Sequence, residues 1–365
     1  MTETQRGAQA AAATGAAQGG APDGVREFIA SVLGDCGVEG LSLAFVEDGR
    51  VVWAEGFGLR ERARALGATA ATVYEAGSLS KPVFAYCALL AWERGLFDLD
   101  APLVRYLPEP FVPHEPRLRL ITARMVLAHT TGFENWREAG EPLRVVATPG
   151  RHFTYSGEGY VYLQRVLERL TGESLTDYAR RHVFEPFGMR ASGFAWAEDF
   201  EADVARSYDE AGQLDRSFMW DYAHGLASTE AEGDGQESPE YNLPNAASGL
   251  YTSAADYARF VCAVIGPAGE GRLSEEATAE MLKPQVNAFE SIGWGLGWGL
   301  QPAARGQLFF HWGNQNSFQH FACGSRESRR GLVILTNSAR GLKACRRIAP
   351  HLLGEELPVF AYLDL

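Results

Sequence analysis

The stretch that most constrains the fold is residues 77–82, Gly-Ser-Leu-Ser-Lys-Pro, because it leads directly into the apolar run Val83–Trp92. Proline is tolerated in the first turn of a helix, so the pattern predicts a helix that begins at or near Ser78. Residues three apart share one face of a helix, and we expect Ser78 and Lys81 to lie side by side. A hydroxyl beside an amine, close to unpaired backbone N–H groups, is the start of a nucleophilic site.

Lysine is rare in this chain, which makes Lys81 informative. Of the 33 Lys and Arg residues, only Lys81, Lys283 and Lys343 are lysines. Arg keeps its proton, whereas a Lys that is desolvated or close to other cations can lose it. The alternative interpretation is a Ser at a helix start followed by a solvated Lys, because short motifs also occur by chance.

Composition excludes several classes of function. The 365 residues are 46% hydrophobic and 22% charged, enough for a large core in one composite domain or two packed lobes. A formal net charge of −13 argues against nucleic acid and anionic membrane surfaces as partners. No stretch approaches the roughly 18 apolar residues of a membrane span. We expect neither a cofactor nor a metal, and the oligomeric state stays open.

The N-terminal segment and the cysteines bear on location. Residues 1–23 are rich in Ala, Gly and Gln and lack the basic and apolar regions of a signal peptide, which predicts a flexible tail. The five cysteines are scattered and mostly lie in apolar runs, which predicts buried reduced thiols rather than disulfides or a metal site. Together these features favour a cytoplasmic location.

Strand patterns occur at both ends of the chain, with helical patterns between them. Residues 41–46 and 51–56 flank Asp48-Gly49, a strong hairpin signal, and 72–75 form a third short strand. Helices are predicted over residues 25–33, 83–94, 122–128, 159–170, 174–183, 252–265, 274–282 and 342–352, and further strands over 294–300, 307–313, 318–324 and 331–336.

This order predicts an α+β fold in which both chain ends share one sheet. The sheet lobe is expected to comprise residues 24–77 and 246–365. The helical lobe would comprise residues 78–245, with an irregular lid over about 195–245, where few apolar positions recur.

Three short motifs carry chemistry, in the order Ser78-x-x-Lys81, Tyr155-Ser156-Gly157 and His311-Trp312-Gly313. Their types and order resemble the serine β-lactamase and penicillin-binding-protein superfamily, most closely its class C-like branch, which includes esterases similar to family VIII. The resemblance covers residues 25–354. It implies a central antiparallel sheet built from both chain ends, together with a helical lobe.

The resemblance also implies roles for the motif residues. Ser78 matches the acylated nucleophile and Lys81 the amine that assists proton transfer. Tyr155 matches a tyrosine base, whose phenolate a neighbouring ammonium would favour. His311 begins the strand motif, and the backbone N–H groups of Ser78 and Asn314 would form the oxyanion hole.

Two departures from the family pattern concern the substrate. Gly157 replaces an Asn whose amide contacts the substrate's acylamide, and His311-Trp312 replaces a Lys-Thr pair that binds a carboxylate. Both weaken the case for β-lactam hydrolysis. The candidate substrate-binding residues are Gly157, Trp220, Tyr241, Trp312, Gly313 and Asn314, although core packing is the default role of a large aromatic side chain.

The leading hypothesis is a serine hydrolase that forms an acyl-enzyme on Ser78 and takes small esters or amides as substrates. An acyltransferase using the same acyl-enzyme is one alternative. A catalytically degenerate member of the fold, kept as a binding module, is the other. Tyr155 could instead be a packed aromatic and His311 a strand histidine with a satisfied ring.

Overall fold

A computed structural model of the chain describes residues 19–138, 141–215 and 244–363. Its centre is a nine-stranded antiparallel sheet in the order β3-β2-β1-β11-β10-β9-β8-β7-β6, and β4 pairs separately with β5. The strands are β1 (Gly40–Glu47), β2 (Arg50–Glu61), β3 (Leu66–Gly67), β4 (Val73–Glu75), β5 (Tyr251–Ser253), β6 (Val286–Phe289), β7 (Ile292–Trp294), β8 (Gly299–Ala303), β9 (Gly306–Gln315), β10 (Phe318–Ser325) and β11 (Arg330–Thr336). The predicted α+β fold with a central sheet from both chain ends is confirmed.

Helices cover both faces of the sheet. They are α1 (Asp23–Cys36), α2 (Ser80–Glu93), α3 (Ala123–Leu127), α4 (Gly157–Thr171), α5 (Leu175–Ala179), α6 (Glu185–Phe187), α7 (Ala254–Ile265), α8 (Glu275–Met281), α9 (Gly341–Leu353) and α10 (Val359–Tyr362). Successive strand residues point to opposite faces. Thus Leu43 and Phe45 of β1 pack in the cluster that holds α1 and α9, whereas Ala44 packs in the larger cluster that holds α2 and α7.

Helix α2 is the buried axis of the larger cluster. Every residue from Ser80 to Ala91 is buried, as expected for a helix that is apolar on all sides. It follows a 3₁₀ turn over Gly77–Leu79, and the Ser80 hydroxyl donates to the Gly77 carbonyl at 2.6 Å. The predicted helix start near Ser78 is therefore confirmed, with Ser78 in the 3₁₀ turn that precedes α2.

The predicted hairpin between β1 and β2 is also present. Asp48 and Gly49 have φ values of 52° and 72°, the left-handed pair that a tight two-residue hairpin turn needs. Several helices begin where a Ser or Thr was expected as a cap, for example at Ser253, whose hydroxyl accepts the Asp256 N–H at 3.2 Å.

The single strand predicted over residues 294–300 is wrong. The chain instead forms β7, a turn and β8, with the Gly295 N–H donating to the Trp298 carbonyl at 2.8 Å. Gly297 has φ +92°, and a Cβ there would lie 2.4 Å from the Cβ of Ala85 on α2. The alternation of Gly with large apolar residues mimics strand periodicity, but these glycines permit a turn against a helix.

The elements β3, β5, β6, α6 and α10 were not predicted, and the helix expected over 174–183 is α5 followed by a π-helical segment at Arg180–Phe184. Residues 216–243 of the predicted lid and 1–18 of the predicted tail lie outside the described residues. The lobe boundaries stay predictions.

All five cysteines are unpaired, with Cys87, Cys323 and Cys345 buried. Within the three described ranges, no helix has the length and apolar character needed to cross a bilayer. The cytoplasmic location stays a prediction.

Candidate active site

Ser78 and Lys81 lie side by side, as their spacing predicts. The Lys81 side chain is buried and its Nζ donates to the Ser78 Oγ at 3.1 Å and to the Ala247 carbonyl at 2.9 Å. Ser78 itself is only partly buried, so its hydroxyl can meet a substrate. A buried amine fixed against an accessible hydroxyl excludes the interpretation of Lys81 as a solvated side chain.

The Tyr155 ring joins this pair. The Lys81 Nζ lies 4.8 Å from the centre of the ring, which stacks on His129 at 4.3 Å and on Trp312 at 5.6 Å. The Tyr155 hydroxyl oxygen is buried and has no hydrogen-bond partner of good geometry among the described residues.

Burial raises the pKa of the Tyr155 phenol, and the neighbouring Ser78 hydroxyl opposes this rise only in part. A phenol with a raised pKa is neutral at neutral pH. The expectation that the Lys81 ammonium would favour the phenolate does not hold for this structure, because burial is the largest influence on the pKa of Tyr155 and raises it.

His311 is fully buried on β9. Its Nδ1 lies 2.7 Å from the Trp312 carbonyl oxygen, so Nδ1 must carry the hydrogen and Nε2 the lone pair. Burial, and then the charge of Lys81, lower the pKa of His311 to about 3. The ring is neutral at physiological pH and supplies no cation to a substrate carboxylate.

The two segments expected to form the oxyanion hole are in contact. Gly77 has φ +52°, and a Cβ there would lie 3.2–3.3 Å from the backbone of Asn314. A Cβ at Gly313 would lie 2.4 Å from the Ala76 carbonyl oxygen. Strand β9 therefore runs directly against the turn that carries Ser78, and both glycines allow this close approach.

The space that a side chain would take at residue 157 is not open to a substrate, because Trp136 fills it. A Cβ at Gly157 would lie 2.3, 2.5 and 2.7 Å from Cζ2, Cη2 and Cε2 of Trp136. The Gly157 N–H also donates to the side-chain Oδ1 of Asn135 at 2.9 Å. Sequence analysis missed Trp136. The sequence feature that could have identified Trp136 is a large aromatic residue in the polar loop that follows Thr130-Thr131-Gly132.

His129 supports the tyrosine, as well as ending α3 with a φ of +54°. The Ser156 N–H donates to its Nδ1 at 3.1 Å. Burial, then Lys81 and His311, lower the pKa of His129 well below its ordinary value, so this ring is also neutral. These contacts give His129 a structural role beside Tyr155.

Tyr362 on α10 is the second residue that sequence analysis missed. Its ring packs edge-on against Trp312 at 5.8 Å, and its hydroxyl contributes to the raised pKa of Tyr155. No motif surrounds Tyr362 in the sequence, and only the fold brings the end of the chain to this site.

The remaining large aromatic residues and His320 differ in their relation to the site. Trp220 and Tyr241 are outside the described residues. Trp298 is buried in the core against Phe260, whereas Trp294 packs edge-on against His311 at 5.5 Å. His320 is a buried sheet histidine that bonds the Glu75 carbonyl oxygen at 2.8 Å.

No cluster of three or more possible metal ligands occurs in the described part of the chain. Two surface clefts, of about 410 and 230 Å³, are not lined by any of the candidate catalytic residues.

Comparison with known proteins places this geometry in context. A family model described as Beta-lactamase matches residues 25–353. The chain is 28% identical to esterase EstB of Burkholderia gladioli over 342 residues, which cover 80% of this chain and 84% of the esterase. It is 25% identical to the penicillin-binding protein PbpX of Bacillus subtilis over 73% of this chain, but spans only 64% of that relative's length. A class C beta lactamase from Rhodobacter sphaeroides has a similar fold, with a TM-score of 0.71 at 20% identity, covering 90% of this chain and 99% of the lactamase.

Proposed function

This chain belongs to the Beta-lactamase family, and on that premise we propose that it is a serine hydrolase that cleaves small carboxylic esters or amides through an acyl-enzyme on Ser78. The observation that carries the proposal is the 3.1 Å contact between the Lys81 Nζ and the Ser78 Oγ, beside the buried phenol of Tyr155. A nucleophile, an adjacent amine and a proton donor are the groups that acyl transfer needs.

The proton path follows from the neutral state of Tyr155. In the reactive form, Lys81 is an uncharged amine and takes the Ser78 proton while the Ser78 Oγ attacks the substrate carbonyl carbon. The resulting oxyanion would accept the backbone N–H groups of Ser78 and Asn314. Tyr155 then gives its proton to the departing alkoxide and is reprotonated by Lys81.

Deacylation would use the same groups in reverse order, with water in place of the alcohol. Tyr155 takes the proton of the attacking water as it passes its own proton to Lys81, and Lys81 returns this proton through Tyr155 or directly to the Ser78 Oγ as the acid leaves. The cycle balances without a cofactor.

The side chains around Ser78 favour uncharged substrates. The neutral His311 offers no cation to a carboxylate, and Gly157 offers no side-chain amide. A site whose own polar groups bind a substrate's carboxylate or amide selects strongly for substrates that carry those groups. This site lacks both the cation at residue 311 and the side-chain amide at residue 157, which favours simple esters over β-lactams. The relative EstB, named an esterase, supports this direction.

The test compares hydrolysis of 4-nitrophenyl acetate by the wild type, Ser78→Ala and Lys81→Met. We expect kcat/KM to fall at least about a thousandfold in both variants. Lys283→Met is the matched control because Lys283 is an exposed lysine whose side chain is 66% accessible, and it should behave like the wild type. Wild-type turnover by Ser78→Ala would refute the proposal.

Two further measurements separate the alternatives. A fluorophosphonate adduct on Ser78, detected by intact mass, distinguishes an active hydrolase from a degenerate binding module. Added alcohols that divert the acyl group into a new ester would identify an acyltransferase instead.

A further inference from the structure

The space beside Gly157 is filled by the indole ring of Trp136. Three ring atoms of Trp136 lie 2.3–2.7 Å from the place a Cβ would take at residue 157, closer than real Cβ contacts come. The Trp side chain is rigid, with only two torsions, and cannot bend aside in part. Glycine at 157 and tryptophan at 136 are therefore complementary, and each position depends on the other.

The backbone between Tyr155 and Gly157 places Trp136 on the side of the catalytic tyrosine. Ser156 is extended, with φ −146° and ψ 120°. The two residues that flank an extended residue direct their side chains to the same face of the chain. Their Cα atoms are about 6–7 Å apart. The Trp136 ring, which fills the place of a Cβ at residue 157, thus lies on the same face of the chain as Tyr155, two residues further along.

Ser156 itself points away from this face. Its hydroxyl donates to the Glu134 carbonyl at 2.8 Å and accepts the Gly159 N–H at 3.2 Å. These bonds hold the loop that carries Trp136 against the first turn of α4. Trp136 is only partly buried, so part of its ring remains available to a ligand.

The neighbours of Trp136 in the sequence fix the ring in place. The Asn135 carbonyl accepts the N–H groups of Gly157 and Glu158, both at 3.1 Å. Arg137 makes three bonds to the carboxylate of Glu158: its backbone N–H at 3.0 Å, Nε at 2.8 Å and Nη2 at 2.7 Å. Trp136 is thus held between two residues anchored to α4, which makes it a preorganised wall.

We propose that Trp136 is a specificity-determining residue that limits the acyl group bound to Ser78 to short, unsubstituted chains such as acetyl and propionyl. The inference rests on the proposed acyl-enzyme at Ser78. Acyl groups with an amido or other bulky substituent next to the carbonyl meet the indole ring and are excluded. The packing of Trp136 against Gly157, rather than the mere absence of an Asn, closes this part of the site.

The first experiment measures kcat/KM for 4-nitrophenyl esters from acetate to octanoate with the wild type, Trp136→Ala and Trp136→Phe. In Trp136→Ala the ratio of octanoate to acetate should rise about tenfold or more, since each misfit methylene costs on the order of tenfold. Trp136→Phe should shift the ratio in the same direction by less. It also provides a well-folded variant if the Ala protein is unstable.

Trp92→Ala is the matched control. Trp92 is a half-buried Trp on α2, eleven residues after Lys81 and so about 16 Å along the helix. Its ester ratio should stay within about twofold of the wild type. An unchanged ratio in both Trp136 variants, in protein that still forms the Ser78 fluorophosphonate adduct, would overturn the inference but leave the proposed hydrolase intact.

The second experiment measures thermal unfolding of Gly157→Asn alone and combined with Trp136→Ala. The Asn should lower Tm by several degrees in the wild-type background and by clearly less when Trp136 is absent. Equal losses in both backgrounds would contradict the packing on which the inference rests. If no adduct forms on Ser78, the proposed function fails and the specificity role falls with it, whereas this thermal comparison still decides whether Trp136 occupies position 157.

Discussion

Replacing Glu158 with Gln is expected to lower the free energy of unfolding by about 3–5 kcal/mol, the usual cost of removing one partner from a buried ion pair. The substitution keeps the size and shape of the side chain and removes only its charge. The expected loss is therefore electrostatic, because the two bonding nitrogens of the Arg137 guanidinium would face a neutral amide instead of a carboxylate.

The magnitude follows from burial and hydrogen bonding at this pair. The Glu158 side chain is 0% exposed and that of Arg137 is 9% exposed. Three hydrogen bonds join them, two from the guanidinium and one from the Arg137 backbone. Bonds to a charged group contribute about 1.5–3 kcal/mol each, and a neutral amide can accept only part of this set.

The assay is urea unfolding of the wild type, Glu158→Gln and the control Glu109→Gln. Glu109 pairs with Arg169 at the surface, where the side chains are 69% and 49% exposed. Such an exposed pair contributes about 0.5 kcal/mol or less. Equal unfolding midpoints for the two Gln variants would refute the reasoning. Because Arg137 anchors the loop of Trp136, Glu158→Gln should also shift ester selectivity in the same direction as Trp136→Ala.

Two further predictions concern the buried histidines and Tyr362. Burial lowers the pKa of His311 to about 3 and of His320 to about 4, against about 6.5 when unfolded. The unfolded chain binds more protons below pH 6.5, so stability falls as pH drops from about 6.5 towards 4, and His320→Gln should flatten the slope of Tm over this range. An unchanged slope would contradict the neutral buried state of His320. Tyr362→Ala should raise KM about two- to tenfold with little change in kcat, because an aromatic contact with Trp312 is worth roughly 0.5–1.5 kcal/mol, whereas Tyr362→Phe should keep the wild-type KM. Equal KM values for the Ala variant and the wild type would exclude Tyr362 from the substrate site.

The parts of the site that could be predicted from sequence depend on local spacing. Ser78 and Lys81 are one helical turn apart, so their contact required only that a helix form there. The hairpin at Asp48-Gly49 is similarly local. The ordering of Tyr155 and His311 after these residues led to the superfamily resemblance, and the family and the fold are confirmed.

The parts that could not be predicted depend on contacts between distant segments. Trp136 and Gly157 are 21 positions apart in the printed sequence, and neither reveals the other without the fold. Tyr362 reaches the site only because α10 packs beside Trp312. The protonation state of Tyr155 was predicted wrongly. The sequence indicates which charged residues share the site, but it does not show how deeply the phenol is buried, and burial is the largest influence on its pKa.

The departures from the family pattern at residues 157 and 311 would act on a substrate in different ways, the first through volume and the second through charge. Reversing one of them alone would therefore leave the effect of the other in place. Trp136 fills the space beside Gly157 and, as proposed, excludes an acyl substituent there by volume, whereas His311 withholds charge because burial and the Lys81 ammonium lower its pKa. A cationic side chain at 311 would meet the same two penalties, since its charge would be desolvated and close to Lys81. Burial, and the field of Lys81 in its ammonium form, keep His129 and His311 uncharged, whereas the proposed attack by Ser78 begins from the uncharged amine of Lys81. If the proposed acyl-enzyme forms on Ser78, this charge distribution and this wall favour compact, uncharged esters.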